Sequence, residues 1–214
     1  MRLLCTILLS LCLSQAEVID RVAIALDKRI ITRSAVEAQV RATEFLNREP
    51  LEINSTALRR AGERMIEQAL IRREMEFSRF TMPAAAEVEP MMQQIQSARF
   101  SSEAEFFKEL ASYGLTARDL RAQFLLQLAT LRFIQLRFRP SVAIGDGEIE
   151  IYYREQFVAE WEQANPGKPA PDLEEARDRI VEVLTQEKTD HALNLWLRDT
   201  RQLVRVRFYE EAFQ

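Results

Sequence analysis

The sequence predicts a mainly α fold with a small β element joining the two ends of the chain. Three observations carry this. Helix formers (Ala, Glu, Gln, Leu and Arg) dominate 214 residues that hold only five glycines and seven prolines. Most apolar residues recur at helical spacing. Strand-like spacing appears only near the beginning and at the end, at Val22–Leu26 and Leu203–Tyr209.

The elements follow in order. Val22-Ala23-Ile24-Ala25-Leu26 and Ile30-Ile31, separated by Asp27-Lys28-Arg29, read as a small hairpin or bent strand. Thr32 or Ser34 can cap a helix to about Leu46. Asn54 or Ser55 caps the next, over roughly 56–78, with Leu58, Met65, Ile66, Ala69 and Leu70 on one side. A helix over about 85–98 must hold Pro90 in its first turn or kink there. Ser102 and Glu105 form a capping box for a short helix ending near Tyr113-Gly114. Thr116 and Asp119 open a long helix to about Phe138, striped by Leu120, Phe124, Leu128, Leu131 and Ile134/Gln135. Asp146 is the expected cap of a helix through Trp161. Asp172 is the expected cap of a helix to about Thr200. In the closing segment Val204, Val206 and Phe208 alternate with Arg205, Arg207 and Tyr209. A lone strand at each end would leave unpaired edges, so the two are expected to pair with each other.

Four regions result: 1–16, 17–161, the Pro-rich linker 162–171, and 172–214. Met1-Arg2, the apolar run Leu3–Leu13 and Ser14-Gln15-Ala16 have the layout of a secretory signal peptide cleaved after Ala16. The run is too short to span a bilayer, which takes about 20 apolar residues. Periplasmic export follows. Both cysteines, Cys5 and Cys12, fall in the removed part. Stability is then expected from a core and not from disulfides. Loss of Arg2 takes the net charge from −4 to −5, mild acidity that argues against a nucleic-acid partner.

Little in the chain suggests catalysis. The one histidine, His191, reads best as a half-buried packing residue, because a metal site needs more imidazole or thiolate ligands than are present. Gly145-Asp146-Gly147 is too short for a phosphate loop, and there is no G-x-S-x-G elbow. No catalytic residue, metal or cofactor is expected. Apolar surface remains. Phe106-Phe107 and Met91-Met92 are adjacent pairs, and on a helix neither pair can face one core fully. Met91, Met92, Phe100, Phe106, Phe107, Tyr113 and Phe124 are therefore the candidate groove for apolar peptide segments.

Val18 to Val36 (VIDRVAIALDKRIITRSAV) resembles the mature N-terminus of SurA-type periplasmic chaperones. Met65–Ile71, the stretch FFKELASYGLTARDL from Phe106 to Leu120, and Ile180–Phe208 are similar to later segments of that family, in the same order. Relatives usually carry one or two parvulin prolyl-isomerase domains after Tyr152-Tyr153. Here that interval is only the linker near Pro166–Pro171. The resemblance implies a multi-helix chaperone module without isomerase chemistry and without ATP. It would hold unfolded or extended segments of outer-membrane proteins. The alternatives are residual prolyl isomerisation, or a structural envelope assembly factor that dimerises by exchanging its terminal helix.

Overall fold

A computed structural model describes residues 20–214. The expected signal peptide lies outside the described residues. The fold is mainly helical with one small antiparallel sheet, as the composition and periodicity predict.

Strands β1 (Val22–Leu26) and β2 (Arg29–Thr32) form a hairpin, and the sheet order is β2-β1-β3 with β3 at Val206–Phe208. The two ends of the chain do pair: Ile24 faces Phe208, Ala25 faces Arg207 and Leu26 faces Val206. The closing strand is shorter than its alternation suggests, because Asp27 takes over the next pairing position. Its N–H donates to the Arg205 carbonyl (3.0 Å) and its carboxylate accepts from the Arg205 N–H (2.9 Å). Asp27 sits at φ 50°, a left-handed conformation that Asp tolerates better than most residues.

Among the described residues there are eight α-helices, most of them opened by local rules. α1 (Arg33–Asn47) is capped by the Thr32 hydroxyl and α2 (Ser55–Phe77) by the Asn54 side chain. A 3₁₀ turn over Ala85–Val88 leads into α3 (Glu89–Arg99), which holds Pro90 in its first turn, where no N–H is missed. α4 (Glu103–Ser112) is capped by Ser102, but the returning Glu105 carboxylate bonds Ser101 and not Ser102. Gly114 then turns the chain at φ 67°, with the Leu115 N–H donating to the Leu110 carbonyl (2.9 Å). The Thr116/Asp119 box opens α5 (Ala117–Arg137) as expected.

α6 (Asp146–Tyr152) is capped at Gly145, not at Asp146. The Glu148 carboxylate accepts from the Gly145 N–H, while Asp146 pairs with Arg177. A π-helical segment, Tyr153–Phe157, joins α6 to α7 (Val158–Ala164) where an unbroken α-helix is expected. The wider turn stacks Tyr153, Phe157 and Trp161 in a ladder with centroids 5.8 and 6.1 Å apart. The Pro-rich loop that follows is tied to this ladder. The Trp161 indole N–H donates to the Pro169 carbonyl (3.1 Å) and the Tyr153 hydroxyl to that of Pro171 (3.0 Å). Asp172 caps α8 (Leu173–Gln202), about 45 Å long at 1.5 Å per residue.

Four apolar clusters make the core. The sheet, α1 and the N-terminal half of α2 enclose Ile24, Val36, Leu58, Ile66 and Phe213. Phe45, Val88, Met92, Phe106, Leu110, Leu120 and Phe124 form a second cluster. Ile71, Met75, Ala129, Phe133 and Phe138 form a third, and Ile149, Tyr152, Phe157, Ala176 and Ile180 a fourth. α8 joins three of these, with Ile180 in the fourth cluster and Trp196 and Leu197 against the third and the first.

Two stripes differ from their expected faces. α5 buries Leu120 and Phe124 but then Ala129 and Phe133, leaving Leu131 55% exposed. Its lower half turns toward α2 and α8, so the stripe rotates. His191 is exposed, not half-buried: Ala192, Leu193, Trp196 and Leu197 face the core, while Leu195, on whose side it falls, is itself exposed.

The α5 cap gives a pH prediction. The Thr116 hydroxyl (2.7 Å) and then the Thr116 N–H (2.8 Å) hold the Asp119 carboxyl below the ordinary carboxylate range. A lowered folded value means stability that is present above the unfolded pKa and lost as pH falls through the folded one. Asp119→Asn is expected to flatten the loss of stability expected of the native protein below about pH 4. Denaturant titrations across the acid range check this; an unchanged slope contradicts it.

Candidate functional site

A markedly apolar hollow lies between the C-terminal half of α2 and α5. It measures about 490 Å³ and is lined by Met75, Phe80, Met82, Ala122, Leu125 and Leu126, with Arg72, Glu76 and Arg79 at its rim. A larger hollow of about 820 Å³ sits where the β1–β2 turn meets the end of α8. Half of the residues around that one are charged (Asp27, Lys28, Arg29, Arg73 and Arg205), so it is the poorer host for apolar side chains.

The way α2 ends creates the smaller hollow. Arg79 takes a left-handed conformation at φ 55°. The Phe80 N–H then donates to the Met75 carbonyl (2.9 Å) and the Arg79 N–H to that of Glu76 (3.3 Å), a paired-bond reversal that closes the helix. Such reversals bring the residue after the left-handed one against the residue five positions earlier. Here these are Phe80 and Met75, two walls of the hollow. Phe80 is held edge-on against Phe133, centroids 5.5 Å apart, so this wall is fixed. Met82 is half exposed and supplies an adjustable wall. Opposite, Leu125 and Leu126 come from successive positions of α5 and are both half-buried.

The rim is cationic. Glu76 pairs with Arg29 across from β2. Arg72 and Arg79 are exposed and meet no carboxylate among the described residues. Arg72 stands on a face of α2, and Arg79 just past its end; that face continues past Arg72 to a second hollow of about 270 Å³. That hollow is lined by Ile30, Ile31, Ala35, Met65 and Ala69, with Arg29, Gln68 and Arg72 around it.

None of the seven sequence-predicted residues lines the α2–α5 hollow. Met92, Phe106 and Phe124 are buried to 5%, 2% and 3% exposure in the second cluster, and Met91, Phe100 and Tyr113 pack partly buried against it. They form a core that would have to open to offer a groove. Phe45 organises it, stacked on Phe100 and edge-on to Phe106 and Tyr113. Burial pushes the Tyr113 phenol up, and its hydroxyl donates to the Glu49 carbonyl (2.8 Å). Phe107 alone is exposed, at 45%.

No protein-family model matches the chain, and no match was found among curated proteins. Among the described residues no helix is long and apolar enough to cross a membrane, and no three His, Cys, Asp or Glu side chains gather as metal ligands would.

Proposed function

We propose that the chain is an exported, ATP-independent holdase that binds extended apolar segments of unfolded envelope proteins, outer-membrane proteins above all. The observation that carries this reading is the solvent-open hollow between α2 and α5. It pairs rigid walls (Phe80, Met75) with an adjustable one (Met82) and has room for one or two bulky side chains. An apolar pocket with adaptable walls suits a binder that accepts many sequences. The secretory layout of residues 1–16 and the SurA-like order of segments support the same reading.

The test is suppression of aggregation when an unfolded β-barrel membrane protein is diluted from denaturant into buffer with the purified protein. Suppression is expected at near-stoichiometric ratios without nucleotide. Met82→Asp puts a charge on an exposed wall without touching the core, and is expected to cut the suppression several-fold with Tm unchanged. No suppression by the native protein overturns the proposal.

A further inference from the structure

We infer that the client segments preferred by this site are acidic: an extended stretch with two bulky apolar residues flanking a carboxylate. This rests on the reading of the α2–α5 hollow as a polypeptide site.

Two hollows share one wall. Residues from Met65 to Arg72 line the hollow beside β2, and residues from Arg72 to Arg79 line the one beside α5. The two are therefore displaced by seven residues along α2, about 10 Å at 1.5 Å per residue. An extended chain covers about 13 Å in four residues, and its side chains at i, i+2 and i+4 point to one side. A segment lying along α2 would reach from one hollow into the other with the apolar side chains at i and i+4 and pass residue i+2 over Arg72.

The charges favour one sign of occupant. Arg29, Arg72 and Arg79 line the two hollows against a single carboxylate, Glu76, and Glu76 is already engaged by Arg29. Arg72 stands between the hollows and Arg79 at the far end, both exposed and with no carboxylate partner among the described residues. The chain as a whole is acidic, at net charge −4, so a cationic strip on this face departs from its general character. Arg79 also holds a left-handed backbone position where glycine is the cheaper residue. A planar guanidinium offers paired donors that match a carboxylate.

The experiment is fluorescence anisotropy of three labelled peptides of about ten residues, alike except that Glu, Gln or Lys stands midway between two Phe four apart. The Glu peptide is expected to bind about fivefold tighter than the Gln peptide and tighter still than the Lys peptide at low salt, with the gap closing near 0.5 M salt. Arg72→Gln is expected to remove the Glu-over-Gln preference, the ratio of the two affinities falling to about one. Arg79→Gly is expected to weaken the preference with Tm no lower than native, since it relaxes the backbone as it removes the charge. Equal binding of the three peptides, or a preference that survives Arg72→Gln, overturns the charge inference and leaves the holdase reading standing. No binding of any peptide overturns both.

Discussion

Phe213→Ala is expected to destabilise the protein by about 3 kcal/mol, read as a lower denaturant midpoint with little change in slope. Phe213 is only 4% exposed, although it stands next to last in the chain. Its ring packs against Phe208 of β3 (5.7 Å) and closes over Gly62 of α2, which has no side chain to hold it off. A Cβ at Gly62 would lie 3.0 Å from Ile24 and 3.2 Å from Phe213, so sheet, helix and chain end meet there at full contact. Arg33 secures the same segment by donating to the Ala212 and Gln214 carbonyls. Removing the ring opens a cavity where the sheet, α2 and the closing segment meet in close packing. A loss below about 1 kcal/mol would mean that the closing segment is an appendage and not part of the core.

Phe106→Ala and Phe107→Ala are expected to separate sharply. Phe106 is buried and lies edge-on to Phe45 and Phe100, so its truncation is expected to cost about 3–5 kcal/mol. Phe107, half exposed on the next position of α4, is expected to cost less than about 0.5 kcal/mol. Thermal or chemical denaturation of the two variants checks both values. Similar costs would contradict the assignment of the second cluster as core.

That pair shows where sequence reasoning reaches and where it stops. Adjacent bulky residues on a helix cannot share one core, and Phe106 with Phe107 obey this. Which of the two is buried depends on α1 and α3, which no local pattern reveals. Caps were legible at Thr32, Asn54, Ser102, Thr116 and Asp172 because a cap is a contact over three residues. Pairing of the first and last strands was legible because an unpaired edge is costly wherever it falls. The stripes of α5 and α8 were not, because α5 serves two clusters and α8 three, and each turns its buried face between them. The α2–α5 hollow was hidden for a further reason. It depends on a chain reversal at Arg79, a residue that carries none of the glycine signal by which such reversals are read. Met75, Phe80 and Met82 are near neighbours in the sequence, but Leu125 and Leu126 lie more than forty residues on, and no local pattern joins the two groups.

Site-specific photocrosslinking to an unfolded β-barrel membrane protein tests the central claim most directly. Photoreactive residues would be placed one at a time at Met82 and Leu126 in the hollow, and at His191 and Phe107 on exposed surface outside it. Crosslinks concentrated at Met82 and Leu126, and competed away by unlabelled apolar peptide, are the predicted result. Crosslinks that are absent, or as frequent at His191 and Phe107 as in the hollow, would contradict it.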